Sequence, residues 1–137
     1  VESGLHHLHP HVDRGIDELH RVLKPGGMFC FAEPHAGSLP DRIRRAWYAR
    51  DALFADNEAS IDLEELKRKN FGRFEFIRED YHGNIAYLLI LQSMILRIPV
   101  ALKRYYARPL LALEALIEPL QGRRLSCGVT GQWRKVC

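Results

Sequence analysis

The fold of this chain is decided by the stretch from Arg21 to Pro34, which reads RVLKPGGMFCFAEP. Lys24 supplies a cation for the end of a helix, and Pro25-Gly26-Gly27 then stops that helix. The run Met28–Ala32 is short, continuously apolar and rich in aromatic residues, which is the pattern of a strand covered on both faces. A helix that passes through a glycine turn into a buried strand is half of a parallel α/β unit. The stretch therefore predicts an α/β fold.

The helix before this turn is predicted by one apolar stripe. Its members are separated by four, three and four residues: Val12, Ile16, Leu19 and Leu23. Residues at these spacings share one face of a helix, and Pro10 suits the first helical turn. We expect a helix over residues 12–23.

Two further helices are expected after the strand. Asp41 can cap the first, whose loose apolar side is formed by Ile43, Ala46, Trp47, Leu53 and Phe54. The second begins at Ser60 or Asp62, turns Leu63 and Leu66 inward and ends near Phe71-Gly72.

Two more strands are expected in the second half of the chain. Residues 74–81 alternate between apolar and polar side chains, and His82-Gly83-Asn84 ends that strand. Residues 125–136 alternate as well, although Gly131 weakens this last strand.

The segment of about 84–120 between these strands is nearly all apolar. Polar residues and Pro99 interrupt it, whereas a transmembrane helix needs roughly 20 uninterrupted apolar residues. Three interpretations stay open: a pair of buried or lid-forming helices, an interfacial helix resting on lipid, and a membrane span. We expect a helical insertion before the final strand.

The composition, 47% hydrophobic and 27% charged over 137 residues, is ordinary for one soluble globular domain. A formal charge of +3, spread over small basic groups, argues against a nucleic-acid binder. Cys30, Cys127 and Cys137 stand at long, unrelated spacings, so the sequence holds neither a disulfide framework nor a CxxC pair, and a cytoplasmic setting fits best. The chain opens on Val1 without a secretory leader, and we expect it to be part of something longer.

The order of these features resembles one enzyme family. The segment Leu5-His6-His7-Leu8, the helix, the RVLKPGG turn and the strand that ends in Glu33-Pro34 are similar to the second half of class I S-adenosylmethionine-dependent methyltransferases. The RVLKPGG turn is the most specific part of this match. The resemblance covers Ser3 to about Phe76, and extends further through the order helix, strand, long insertion and strand.

The resemblance implies a Rossmann-like methyltransferase sheet of which this chain carries the last three strands, with helices on both faces. Residues 1–137 would then be the C-terminal portion of one domain. In that family the final strand is antiparallel and lies between the two strands before it, so the three predicted strands would be neighbours. Loss of the preceding strand would leave the edge of Met28–Ala32 exposed, and we therefore expect self-association through this edge.

The sequence departs from the family at the cofactor motif. It contains no glycine-rich G-x-G loop after a strand, and no acidic residue in the position that holds the cofactor ribose. This stretch alone is expected to bind S-adenosylmethionine weakly or not at all, and catalysis would need an N-terminal half. Whether the chain is an enzyme stays open. The alternative is a non-catalytic interaction or structural module, while a nicotinamide-dependent enzyme is disfavoured by the Lys-Pro-Gly-Gly turn.

The resemblance also implies site residues. Contacts to the cofactor are expected from Ser3, Leu5 and His6, and the candidate catalytic bases are His6, His7 and His35. Imidazole titrates near neutral pH, which suits removal of a proton from a phenol or hydroxyl acceptor.

The histidines also have a structural interpretation. Together with His9 and His11, His6 and His7 can form a polar loop that caps the helix. A metal site is not predicted, because Pro10 breaks the helical register and no carboxylate stands at ligand spacing.

Five residues are candidate contacts of the methyl acceptor: Glu33, His35, Trp47, Tyr48 and Tyr87. A role as a turn residue before Pro34 is an equally good interpretation of Glu33. Trp47 and Tyr48 can also be interpreted as core residues. The apolar insertion would form a second wall of the acceptor pocket. Apolar walls imply a hydrophobic small molecule, such as a lipid-, quinone- or polyketide-like compound, and leave open a peripheral contact with a membrane.

Overall fold

The computed structural model describes residues 1–50, 59–91 and 96–136. Its α-helices are α1 (Val12–Val22), α2 (Leu39–Tyr48), α3 (Leu63–Lys69) and α4 (Val100–Leu125), the last bent at Gly122. The strands are β1 (Met28–Pro34), β2 (Phe74–His82) and β3 (Gly128–Lys135), and shorter turns are the 3-10 helix His6–Leu8 and the π-helix Tyr87–Leu91. Leu53, Phe54 and Cys137 lie outside the described residues.

The three strands form one sheet in the order β1-β3-β2. β3 runs antiparallel to both neighbours, pairing Phe31 with Gly131 on one side and Phe76 with Trp133 on the other. The two outer strands are therefore parallel to each other. The α/β class is confirmed, and the last strand lies in the middle, which is the order that the sequence analysis predicts.

The hydrophobic core lies on one face of the sheet, around the fully buried Trp133. Helices α1 and α3 pack on this face through Ile16, Leu63 and Leu66. On the opposite face, Met28 is 42% exposed and Cys30 is exposed as well. The prediction that β1 is covered on both faces is therefore wrong. Its small and apolar outward residues gave a continuous apolar run, but their burial alternates with the pleat of the strand.

The free edge of β1 is partly covered by the first residues of the chain, contrary to the bare edge that was expected. The carbonyl of Cys30 accepts the amino group of Val1 at 2.7 Å, and the amide of Ala32 donates to the carbonyl of Val1 at 3.0 Å. The amide of Ser3 donates to the carbonyl of Ala32 at 2.8 Å, so residues 1–3 run parallel to β1.

Two helices begin at side-chain caps. The Asp62 carboxylate accepts a hydrogen bond from the Glu65 amide at 3.1 Å and caps α3. Of the two predicted starts of this helix, Asp62 is therefore the correct one. The prediction that Asp41 caps α2 is wrong by one turn, because the Ser38 hydroxyl accepts the Asp41 amide and the helix begins at Leu39.

The orientation of α2 also differs from the prediction. Ile43 and Trp47, expected to form an inward apolar side, are 56% and 42% exposed, whereas Asp41 and Arg44 are buried. An internal ion pair therefore determines which side of α2 faces the protein, and the apolar side faces outward.

The insertion between β2 and β3 is helical at Tyr87–Leu91 and along α4. Much of α4 is apolar yet exposed, as Leu116 at 74% and Leu120 at 86% illustrate. The interpretation of this segment as a pair of buried helices therefore does not hold for α4. None of the described helices is long and apolar enough to cross a membrane.

Candidate functional site

Polar side chains gather at the end of the sheet where β1 and β2 finish and β3 begins. Glu33 and His35 stand at the end of β1, Tyr81 and His82 at the end of β2, and Cys127 immediately before β3. In open α/β sheets, ligands bind outside the carboxyl ends of the parallel strands. This end of the sheet is therefore the candidate site.

The carboxylate of Glu33 is buried and accepts hydrogen bonds from one short segment. The amides of Gly4 and Leu5 each donate to Oε1 at 2.8 Å, and the amide of His6 donates to Oε2 at 3.3 Å. Nδ1 of His6 lies 2.8 Å from the same Oε2. Burial alone would raise the pKa of Glu33, but the hydrogen bonds from His6 and the amides outweigh it, so the pKa lies below its usual value.

Glu33 also fixes the ring of His6. When Nδ1–H donates to the carboxylate, Nε2 carries the lone pair and can accept a proton. The His7 ring lies beside it, with the two ring centroids 4.0 Å apart. Of the other candidate cofactor contacts, Ser3 bonds to the edge of β1 and the side chain of Leu5 is buried in the core.

His35 is 4% exposed, and its ring meets Tyr81 edge to face at a centroid distance of 4.9 Å. Its Nδ1 is buried and has no hydrogen-bond partner among the residues that the structure describes. Burial and the nearby positive charge of Arg123 lower the pKa of His35, so the ring is held neutral.

A buried ion pair lies close to the end of β1. Arg44 donates to Asp41 at 2.8 Å, Ser60 bonds to both side chains, and the amide of Gly37 donates to Asp41 at 2.9 Å. Burial alone would raise the pKa of Asp41, but its bonds to Ser60, Arg44 and Gly37 hold that pKa below the usual value. Sequence analysis gave Asp41 only a capping role, and the spacing of three residues between Asp41 and Arg44 is the signal that could have shown the pair.

Tyr87 lies beside this ion pair. With Cys127 and Arg44 it lines a very small cavity. Burial raises the pKa of Tyr87 and raises that of the Cys127 thiol to about 12. Trp47 and Tyr48, the other aromatic candidates, are on α2, where Trp47 is 42% exposed.

A groove of about 380 Å³ runs between the starts of α1 and α3. Ile61 on its wall is hydrogen-bonded to the backbone of Pro34 and Ala36, so the groove abuts the end of β1. Its polar lining consists of His9, Asp13, Ser60, Asp62, Glu65 and Lys69. Sequence analysis did not single out the last five as site residues, because helix capping and surface ion pairs account for them. Within the described residues, no three His, Cys, Asp or Glu side chains are grouped as a metal site.

Comparisons with known proteins give little beyond this geometry. No protein-family model matches the chain, and no curated protein matches it. Among solved structures, the chain is similar to that described as "Crystal structure of MccD protein", with a TM-score of 0.46 and 17% identity. The match covers 98% of this chain and 59% of that chain, so this chain spans less than two thirds of its length. At this TM-score the likeness carries no argument about function.

Proposed function

We propose that this chain is the acceptor-binding half of an S-adenosylmethionine-dependent methyltransferase that acts on an apolar small molecule. The observation that carries the proposal is the sheet order β1-β3-β2 with an antiparallel central strand. This order is what the resemblance to class I methyltransferases implies, once it is extended beyond residues 3–76 to the final strand. The parallel alignment of residues 1–3 along β1 agrees with a sheet that continues on that side.

The arrangement at the end of β1 suits the acceptor side of the reaction. S-Adenosylmethionine would supply an electrophilic methyl group on a sulfonium. The acceptor atom forms its bond to the methyl carbon as the carbon–sulfur bond breaks, and the acceptor proton passes to a base. His6 is our candidate for this base, because Glu33 orients its ring and favours the tautomer with a free Nε2.

Donor binding would come largely from residues outside this stretch. The amides of Gly4, Leu5 and His6 already donate to Glu33, so they are not free to hold the donor. No glycine-rich loop is present in the sequence to replace them. In this proposal the chain orients the acceptor and removes its proton, and positioning of this kind supplies much of the rate of a displacement.

The test is a transfer assay on the protein translated from the complete gene, with a tritium-labelled methyl donor. The acceptors are a long-chain alkylphenol and a quinol, compared with catechol and glycine. We expect label in the apolar products. His6→Gln should lower kcat, while His11→Gln on the exposed start of α1 serves as the matched control. Label in the polar acceptors alone would refute the apolar acceptor.

The alternative is a non-catalytic interaction module, and the outward apolar faces of α2 and α4 favour it. It predicts no transfer to any acceptor and no binding of S-adenosylhomocysteine by the complete protein. Both results together would contradict the enzyme proposal and support the interaction module.

A further inference from the structure

Helix α4 presents an exposed apolar stripe, which we name the α4 stripe. Its members recur every three or four residues and therefore share one face of the helix: Leu102, Tyr105, Pro109, Leu113, Leu116 and Leu120. The leucines and the tyrosine are between 49% and 86% exposed. The stripe extends from Leu102 to Leu120, an axial rise of about 27 Å. Exposed apolar surface of this extent marks an interaction site.

Polar side chains of α4 outside the stripe bond to the main chain and side chain of the preceding turn. Glu114 accepts the amides of Asn84, Ala86 and Tyr87 at 3.0, 2.6 and 3.2 Å. Gln121 accepts the side-chain amide of Asn84 at 2.9 Å. These bonds fix the rotation of α4 about its own axis.

Two further bonds hold the N-terminal part of α4. Lys103 Nζ donates to the carbonyl of Ile90 at 2.5 Å, and the Tyr106 hydroxyl donates to the carbonyl of Leu89 at 3.1 Å. Rotating the leucines inward would break these bonds and leave buried polar groups without partners, at a high free-energy cost. The outward stripe is thus a consequence of how the helix is anchored.

Helix α2 contacts α4 and likewise turns apolar residues outward. Leu39, Ile43 and Trp47 recur every four residues and are 55%, 56% and 42% exposed. Asp41 and Arg44 are held on the inward side by their ion pair. Two neighbouring helices therefore turn apolar residues outward, each because its polar residues are bonded inside.

The charges around these residues are mainly basic. In the described residues 39–50 and 100–121, the exposed charged side chains are Arg42, Arg45, Arg50, Arg104 and Arg108 against Glu118 alone. The guanidinium of Arg104 lies 4.8 Å from the centre of the Tyr105 ring. Tyrosine and arginine are the residues that bridge an apolar layer and its polar boundary in membranes.

We propose that α2 and α4 dock on the surface of an anionic lipid bilayer. The α4 stripe lies at the boundary of the acyl chains, and the arginines contact lipid phosphates. Charge complementarity favours an anionic bilayer over a second copy of the chain as the partner of this surface. Two copies would bring two arginine-rich surfaces together, and their like charges would repel. The inference does not depend on methyl transfer.

The test is co-sedimentation of the full-length protein with vesicles of phosphatidylcholine containing phosphatidylglycerol, and with vesicles of phosphatidylcholine alone. We expect binding to the anionic vesicles that weakens with added salt. The triple variant Leu113→Gln, Leu116→Gln and Leu120→Gln should lower the partition coefficient by about tenfold or more, since each buried leucine contributes to insertion. Arg104→Gln with Arg108→Gln should weaken the preference for anionic vesicles, because two of the five exposed arginines are lost.

Val22→Gln is the matched control, because Val22 is an apolar residue that is 57% exposed and belongs to α1 rather than to α2 or α4. It should bind like the wild type. Circular dichroism and light scattering of each variant report fold and assembly. Equal binding by the triple variant, no binding by the wild type, or a stripe-dependent dimer that ignores vesicles would each overturn the proposal.

Discussion

Nδ1 of His6 lies 2.8 Å from Oε2 of Glu33, and the same carboxylate accepts the amides of Gly4, Leu5 and His6. One buried side chain at the end of β1 thus holds residues 4–6 of the segment that precedes α1. The contact joins residues 27–29 positions apart in sequence. Removing the carboxylate should therefore affect both stability and the position of the His6 ring.

Glu33→Ala should destabilise the fold by about 2–4 kcal/mol, because it leaves several buried donors without an acceptor. Glu33→Gln keeps one acceptor oxygen and should cost less. Urea denaturation followed by circular dichroism measures the difference. Glu18→Ala removes an exposed carboxylate paired with Arg21 and should leave the midpoint almost unchanged. Equal midpoints for the three variants would show that the Glu33 contacts add nothing.

Stability should fall as the pH is lowered, in two stages. The pKa of His35 is below its usual 6.5 in the folded state, so the buried neutral ring contributes its full stabilisation above about pH 6.5. This contribution is lost as the pH falls through the folded-state pKa of His35. Glu33 and Asp41 have pKa values below the usual 4.5 and 3.8, so their contribution is lost only at still lower pH. Thermal melts across this range measure both stages.

His35→Phe separates these stages. It replaces a buried ring by an apolar one of similar shape, so the upper stage should shrink while the lower stage remains. His11→Gln, at an exposed position, should retain both stages. An unchanged upper stage in His35→Phe would assign that stage to another group.

Gly131→Ala should destabilise the sheet by about 1–3 kcal/mol through overpacking. A Cβ at this position would lie 2.2 Å from Cζ of Phe31, whose ring is buried across the glycine on the neighbouring strand. Phe31→Leu in the Gly131→Ala background should restore part of the loss, so the two changes would not be additive. Additive losses in a double-mutant cycle would contradict the contact.

Local signals in the sequence predict much of the fold. The stripe of α1 and the Pro-Gly-Gly turn locate the first helix and strand, and alternation locates β2 and β3. Gly131 was interpreted as a weakness in the last strand, whereas the structure shows it making room for the ring of Phe31. A glycine opposite an aromatic residue depends on strand register, which the sequence of one strand does not contain.

The orientations of α2 and α4 could not be predicted in this way. Hydrophobic periodicity assumes that the apolar side of a helix faces inward. In α2 the Asp41–Arg44 pair lies inside, and in α4 the carboxylate of Glu114 binds main-chain amides about 30 residues upstream. The partners of Glu114 are distant in sequence, so the residue pattern of α4 does not reveal them. The spacing of Asp41 and Arg44 indicates that they can pair, but not that the pair lies inside the protein.

The central claim is that the end of β1 forms one wall of a methyl-transfer site. Hydrogen exchange of the full-length protein saturated with S-adenosylhomocysteine, with and without a long-chain alkylphenol acceptor, tests it most directly. We predict slower exchange in peptides covering residues 3–11 and 33–36, with unchanged exchange in residues 74–78, the half of β2 away from the site, as the internal reference. Unchanged exchange at residues 3–11 and 33–36 would contradict the claim.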